Sequence, residues 1–163
     1  MRTKAKLIIS FDFKFSNASR FMPTQFSICL WHLNAKEMAT YYQQVFSDFK
    51  LLSENPMAAV FEINGIRMMC LNNAIPNQSF NEKISLVLTV DTQDEIDHYW
   101  SYFTQEGKAG QCGWLEDKYG VSWQVVPSIL GKLMTNPETA PKATYAFMQM
   151  SKFDIAKLEE AVR

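Results

Sequence analysis

The chain has 163 residues, of which 47% are hydrophobic and 20% are charged, a composition typical of one globular domain with a sizeable core. Its 16 basic residues nearly balance its 17 acidic ones, and no basic face suited to nucleic acid or to an anionic membrane surface is visible. No apolar run approaches the roughly 18 residues of a transmembrane helix. The sequence therefore predicts neither nucleic-acid nor membrane partners.

The N-terminal residues 1–21 fit none of the patterns described below. Their basic start and the short apolar stretch Leu7–Ile9 are similar to a secretory signal, but the stretch is too short and is soon interrupted by charged residues. We expect a poorly ordered extension here, or an upstream start codon with the natural start at Met22. An additional strand over 7–15 is the alternative.

The three cysteines favour a reducing compartment. Cys29, Cys70 and Cys112 are widely separated and odd in number, so they predict neither a disulfide framework nor a Cys/His cluster for zinc. Free thiols are typical of cytoplasmic proteins, and a cytoplasmic location is expected.

Two helices are predicted from matching capping boxes. Asn34 precedes Glu37, and Thr92 precedes Glu95, at the spacing that lets each pair satisfy first-turn amides. The same offsets from the two caps indicate an internal repeat. Behind the caps, apolar residues recur at helical spacing: Met38, Tyr41, Tyr42 and Val45 in the first helix, and Ile96, Tyr99, Trp100 and Phe103 in the second.

A strand precedes each helix, and the two strands follow the same repeat. Residues 27–32 correspond to 85–90, and in both segments the even-numbered residues are mainly aliphatic. Since side chains alternate faces along a strand, these residues are expected to pack beneath the helix. The odd-numbered residues are smaller, more polar and mixed, which favours the wall of a cavity: Ser27, Cys29, Trp31, Ser85, Val87 and Thr89.

Further strands are predicted after each helix. Asn64-Gly65 is a strong signal for a type I′ hairpin. Aligning Gly65 with Gly120 of the second half pairs Met69 with Gln124. The predicted strands are 49–53, 58–63 and 66–72 in the first half, and 110–116 and 121–126 in the second.

A connector and a C-terminal arm complete the organisation. Residues 76–81 link the two halves, and after Pro127 two short helices are predicted over 138–150 and 154–162. The many apolar residues of this arm suit docking onto the body or onto a second subunit. A homodimer is the expected assembly, by analogy with the fold.

Paired βαβββ halves are the signature of the glyoxalase and bleomycin-resistance (vicinal oxygen chelate, VOC) superfamily. Within it the chain resembles the PhnB-like group, often labelled 3-demethylubiquinone-9 3-methyltransferase. The resemblance extends from Gln25 to the C-terminus. Its most specific stretch is 111–127, and the others are 28–31, 41–46, 71–73, 80–86 and 148–155.

The resemblance implies an α+β, glyoxalase-like fold in which two βαβββ modules form a curved mixed sheet around one pocket, with a C-terminal helical arm. We therefore expect a single domain over 22–163, with modules at 25–75 and 81–127 and helices over 138–162. The loop at 53–58 is shorter than is usual in the group. The ligand specificity of relatives is therefore not carried over.

Metal-dependent relatives take one ligand, typically His or Glu, from the first and last strand of each half. The resemblance assigns these four positions to residues of other types. A hydroxyl, a thioether and an amide do not replace imidazole and carboxylate around a divalent cation, so neither a metal nor another cofactor is expected. The four positions are Ser27, Met69, Ser85 and Gln124.

The methyltransferase label does not fit the residues either. Such enzymes usually hold S-adenosylmethionine in a glycine-rich turn between a strand and a helix, and no such turn opens a helix here. His32 and His98 are expected in structural roles. Cys112 beside Gly113 is interpreted as a small buried residue, with a reactive thiol as the alternative.

A pocket without a metal therefore remains. Aromatic walls with a few polar groups are typical of small-molecule sites. Arg67 could pair with a carboxylate or phosphate through its guanidinium, or it could be a solvated residue after the hairpin. The ligand-binding candidates are Ser27, Cys29, Trp31, Arg67, Met69, Ser85, Thr89, Trp114, Ser122 and Gln124.

Three functions are compatible with this pocket. The leading hypothesis is a metal-free dimer that binds a small, partly aromatic or apolar molecule, with sequestration, as in bleomycin-resistance relatives, as one version. The alternative is a metal-independent enzyme in which Ser85, Gln124 or Arg67 orients a carbonyl or an anion of a small substrate. The third is a structural or regulatory protein with a vestigial pocket.

Overall fold

The structure is a computed structural model that describes residues 25–72 and 79–163. The expectations for 1–21, for a start at Met22 and for the first part of the connector lie outside the described residues. Module 1 contains β1 (Ile28–His32), α1 (Ala35–Val45), β2 (Lys50–Asn55), β3 (Ala58–Ile63) and β4 (Ile66–Asn72).

The second half repeats this order and is followed by a helical arm. Module 2 contains β5 (Leu86–Val90), α2 (Gln93–Glu106), β6 (Lys108–Ala109), β7 (Trp114–Glu116) and β8 (Ser122–Pro127). The C-terminal arm contains α3 (Ile129–Thr135), α4 (Ala140–Phe147) and α5 (Ile155–Ala161).

Both modules have the same topology, as the internal repeat predicts. Module 1 forms a four-stranded sheet in the order β1-β4-β3-β2, and module 2 forms one in the order β5-β8-β7-β6. In each sheet the first strand pairs in parallel with the last, and the other pairs are antiparallel. Met69 lies opposite Cys29, and Gln124 lies opposite Val87, so the predicted equivalence of Met69 and Gln124 is correct.

Local sequence signals act where they were expected. Asn34 caps α1 by accepting a hydrogen bond from the Glu37 amide at 3.3 Å. At α2 the capping box is complete, because Thr92 and Glu95 each accept from the other's backbone amide. Asn64 has φ of 49° and the glycine after it 73°, as a type I′ turn requires.

The faces of the strands divide as side-chain alternation predicts. Leu30 and Leu88 are buried beneath the helices. Trp31 and Val87 point to the opposite side and are 45% and 55% exposed. Each sheet therefore buries one face against a helix and leaves the other face open.

The two modules meet through their helices. Phe46, directly after α1, packs against Tyr99 of α2, with 5.4 Å between the ring centroids. The Tyr102 hydroxyl of α2 donates to the backbone carbonyl of Tyr41 in α1 at 2.7 Å. Contacts of α1 and the residue after it with α2 therefore join the two modules.

A buried carboxylate also joins the modules. Asp117, in the turn between β7 and β8, is 2% exposed and accepts four hydrogen bonds. Burial raises its pKa, while the four donors favour the ionised form. The donors are the Tyr42 hydroxyl at 2.8 Å, the Trp123 indole at 3.0 Å, and the Tyr119 and Val121 amides at 2.9 and 3.0 Å.

The arm docks onto the turn before β7. The amides of Cys112 and Gly113 donate to the carbonyls of Met150 and Ser151, both at 2.7 Å. Gly113 has φ of +80°, and a Cβ atom there would come within 2.5 Å of the Phe153 ring. Two stretches that carry the family resemblance, 111–127 and 148–155, are thus in contact.

Several boundaries differ from the predictions. Of the strand expected over 110–116 only 114–116 is a strand, because positive φ at Cys112 and Gly113 forms a turn before it; the short β6 lies at 108–109. Strand β2 extends to Asn55, which leaves a two-residue turn before β3. The helix predicted over 138–150 is shorter and spans 140–147. The helix predicted over 154–162 spans 155–161, because Asp154 is its N-cap. Helix α3 was missed: it has seven residues and no side-chain capping bond.

Candidate functional site

The open face of module 1 is formed by β1, β4 and β3. Cys29, Met69 and Val60 lie in one row across these strands. In a neighbouring row Arg67 lies opposite Glu62. This face therefore combines sulfur-containing and apolar side chains with one cation beside one anion.

Arg67 is half-buried and already has a polar neighbour. Its Nη1 donates to the side-chain oxygen of Gln25. Glu62, opposite it, pairs with Lys50 at 3.8 Å between Nζ and Oε1. Arg67 lies on the same face as Met69, as the anion-binding hypothesis requires, and its role stays a prediction.

The open face of module 2 is mainly neutral. Val87, Gln124 and Trp114 lie in one row across β5, β8 and β7. The amide of Gln124 donates through Nε2 to Ser85 Oγ at 2.8 Å. In the next row Ser122 is paired with Glu116. Two of the four positions that correspond to metal ligands in relatives are thus hydrogen-bonded to each other.

The candidates predicted from the sequence divide between these faces. Met69 belongs to the sheet of module 1, and Gln124 belongs to the sheet of module 2. The binding role of the candidates stays a prediction. Module 1 carries Ser27, Cys29, Trp31, Arg67 and Met69, and module 2 carries Ser85, Thr89, Trp114, Ser122 and Gln124.

Two grooves adjoin these faces. One of about 510 Å³ lies beside Trp114 and Ser122. The other, of about 410 Å³, includes Cys29 and Ser122, and there candidates from both modules meet. Most of its other walls are apolar: Ile28, Leu30, Phe80, Ile84, Leu86 and Val121.

Four residues of the open faces were not among the candidates: Val60, Glu62, Val87 and Glu116. Glu62 could have been found, because a two-residue turn at 64–65 places it opposite Arg67. Val87 is at an odd-numbered position of β5, so alternation alone predicts that its side chain lies on the open face.

The histidines and one thiol have structural environments. His32 packs edge-on against Tyr119 at 4.8 Å between ring centroids. His98 donates from Nε2 to the Val45 carbonyl at 3.2 Å. Burial raises the pKa of the Cys70 thiol to about 12, so this thiol is protonated at neutral pH and is not a nucleophile.

The donor set does not fit the divalent metal of metal-dependent VOC proteins. Serine hydroxyl, thioether and carboxamide groups occupy the corresponding positions, and the serine and amide of module 2 bind each other. Within 25–72 and 79–163, no group of three or more His, Cys, Asp or Glu side chains is arranged to hold a metal ion. In the same residues no helix has the length and apolar character to cross a membrane.

Solved structures with the same fold include several VOC proteins. The PhnB protein of Bacillus cereus is 27% identical, with a TM-score of 0.58 over 64% of this chain and 100% of its own. A glyoxalase/bleomycin resistance protein/dioxygenase family enzyme of Burkholderia phytofirmans is 14% identical, with a TM-score of 0.51 over 62% of this chain and 95% of its own. The fosfomycin resistance protein FosX of Listeria monocytogenes is 10% identical, with a TM-score of 0.54 over 71% of this chain and 98% of its own.

A family comparison agrees with the fold. The model of the family described as 3-demethylubiquinone-9 3-methyltransferase matches residues 24–126. No curated protein is significantly similar to the chain. The match spans both modules and stops before the C-terminal arm. The chain therefore belongs to this family and has the glyoxalase-like VOC fold.

Proposed function

We propose that this protein binds a small molecule without a metal, and that a homodimer in the cytoplasm forms the complete pocket. The observation that carries the proposal is the open face of module 2, where Ser85 and Gln124 form a hydrogen bond beside Val87 and Trp114. A polar pair between apolar walls is the usual composition of a small-molecule site. The three unpaired thiols support the cytoplasmic location.

Exposed apolar side chains near β1 and β5 support a binding role for this region. Phe26 and Leu33, on either side of β1, are 87% and 77% exposed. Ile84, just before β5, is 77% exposed. Exposed apolar side chains at these positions are available for contact with a ligand or with a second protomer.

The sheet edges support a dimer. β1 and β5 are each the end strand of their sheet, so one side of each lacks a strand neighbour in the described part of the chain. Because the modules are copies, a twofold axis that places β1 of one protomer beside β5 of its partner makes this contact twice. Such pairing joins a module 1 face to a module 2 face in one curved sheet.

Methyl transfer is not part of the proposal. The turn from β1 to α1 is Leu33-Asn34 and the turn from β5 to α2 is Asp91-Thr92, so neither contains the glycines that cradle S-adenosylmethionine in a typical methyltransferase. A metal-independent enzyme of the VOC superfamily stays the alternative. Turnover of a bound small molecule by the purified protein would favour it.

The experiment is native mass spectrometry of the purified protein, incubated with a metabolite extract, together with elemental analysis for metals. We expect twice the 18.8 kDa chain mass, a retained small molecule, and far less than one metal per chain. Trp114→Ala should release the small molecule. Tyr145→Ala, at an exposed position of the arm, should retain it.

Two outcomes would contradict the proposal. Stoichiometric zinc, nickel, manganese or iron in the wild-type protein would refute metal-free binding. A wild-type protein that retains no molecule from any extract would refute the binding function.

A further inference from the structure

The geometry points to a ligand class for the open face of module 2: a neutral molecule with a hydrogen-bond donor and an acceptor on one edge of a planar, mostly apolar body. A primary carboxamide or a lactam on a ring has this chemistry. The inference rests on the proposed function and assigns the module 2 half of its pocket.

Ser85 and Gln124 form a preorganised donor and acceptor. The hydrogen bond between them uses one N–H of the amide and one lone pair of the hydroxyl. The hydroxyl proton of Ser85 and the amide oxygen of Gln124 have no other partner among the residues that the structure describes. The opposite orientation of the amide would exchange the roles and again leave at least one donor and one acceptor.

The two free groups lie close together. The free oxygen of Gln124 is bonded to the same carbon as the nitrogen that donates to Ser85, so a ligand can reach both groups with one planar edge. A carboxamide satisfies them by donating an N–H to Gln124 and accepting from Ser85 through its carbonyl. This pairing satisfies the hydroxyl proton of Ser85 and the amide oxygen of Gln124, and it leaves the second N–H of Gln124 for water or for a further acceptor on the ligand.

The neighbouring side chains select a planar apolar body. Val87 and Trp114 are the cross-strand partners of Gln124 on either side, so all three side chains lie on the same face. The indole supplies a flat stacking surface, and the valine supplies an aliphatic wall.

The charges on this face disfavour an ionised ligand. The charged strand residues of this region are Glu116 and Lys108, which pair at 3.1 Å between Oε2 and Nζ. A carboxylate or phosphate would lose its hydration beside Glu116, and Lys108, which lines the groove at Trp114, is already paired; Lys83 lines the other groove, with Cys29 and Ser122. The open face of module 1, in contrast, holds Arg67, a cation that could pair with an anionic ligand.

The probe is benzamide, titrated into the full chain and followed by NMR of the Gln124 side-chain amide and the Trp114 indole. Benzoate and N,N-dimethylbenzamide are the matched controls, because the first adds a charge and the second removes the donor. We expect benzamide to shift both signals and to bind about tenfold more tightly than either control.

Two variants sharpen the test. Gln124→Met keeps the length of the side chain but removes both polar groups, and should weaken benzamide binding about tenfold. Ser85→Ala should weaken it as well, and it provides a second variant if the first is unstable. Tyr145→Phe, at an exposed position of α4 outside the candidate site, should bind benzamide as the wild type does.

The outcomes separate this inference from the proposed function. Equal binding of benzoate, or unchanged binding by Gln124→Met and Ser85→Ala, would overturn the ligand class. A metabolite that binds but shifts only the signals around Arg67 would overturn this assignment and leave the proposed function standing. No small molecule at either face would overturn both.

Discussion

Two adjacent tyrosines of α1 differ in hydrogen bonding although both are buried. The Tyr42 hydroxyl donates to Asp117 at 2.8 Å. Tyr41 is 5% exposed, and its hydroxyl has no hydrogen-bond partner in the described residues. Burial raises the pKa of both phenols, so both hydroxyls are protonated at neutral pH. A comparison of the two tyrosines therefore separates the effect of burying a hydroxyl on the free energy of unfolding from the effect of its hydrogen bond.

Removal of one hydroxyl should destabilise the protein and removal of the other should not. Tyr42→Phe should lower the free energy of unfolding by about 1.5–3 kcal/mol, because a buried hydrogen bond to a carboxylate is lost. Tyr41→Phe should be neutral or slightly stabilising, because a buried hydroxyl without a partner is removed. Urea unfolding of the two variants measures both values. Equal losses would show that the bond to Asp117 contributes nothing.

The role of Asp117 was not predictable from its own neighbourhood. The stretch around it was recognised only as part of the family resemblance. Two of its donors, the Tyr119 and Val121 amides, follow from a local turn. The Tyr42 hydroxyl comes from the other module, and the sequence contains no signal that brings the two together.

At the scale of elements, Gly113 determines how the arm attaches. Its φ of +80° is matched by +81° at Gly120, so the backbone cost of a side chain is nearly the same at both positions. The surroundings differ. A Cβ at Gly113 would lie 2.5 Å from the Phe153 ring and 2.7 Å from the Val125 carbonyl, whereas nothing lies within 4 Å at Gly120.

This contrast gives a matched pair of substitutions. Gly120→Ala should cost about 1–2 kcal/mol, the penalty of a left-handed alanine. Gly113→Ala should cost about 3 kcal/mol or more, because overpacking against Phe153 is added. Hydrogen exchange of α5 should be faster only in Gly113→Ala. If both variants are equally stable and α5 stays protected in both, the close contact does not hold the arm.

The elements that the sequence predicted are those with local causes. The caps of α1 and α2 and the hairpin at Asn64-Gly65 depend on residues a few positions apart. Helix α3 and the turn at Cys112-Gly113 depend on contacts made elsewhere: that turn is fixed by backbone hydrogen bonds to Met150 and Ser151. Such contacts leave no periodic pattern in the sequence.

At the scale of the whole molecule, alternation predicted which side chains leave the core, but not what they face. The candidates of module 1 and module 2 lie on the expected side of their strands. The sequence did not indicate that helices of the two modules contact each other, or how the two separate sheets are arranged. The proposed pairing of β1 with β5 of a partner would bring them together.

That pairing predicts a specific sensitivity to charge beside the two edge strands. Leu33→Glu and Ile84→Glu each place a carboxylate at an exposed apolar position next to an edge strand. In a twofold dimer each substitution occurs at two equivalent contacts. We expect each variant to raise the dimer dissociation constant about 100-fold or more, as the loss of a well-packed interface residue does. Light scattering over a concentration series measures this change.

The matched control is Tyr145→Glu, because Tyr145 of α4 is exposed to the same extent as Leu33 and Ile84, at 77%. It adds the same charge far from β1 and β5 in the chain, so the variant should remain dimeric. Circular dichroism of all three variants checks that the fold is kept. If Tyr145→Glu dissociates while the other two do not, the arm forms the interface, and each open face would then have to bind its ligand within one protomer.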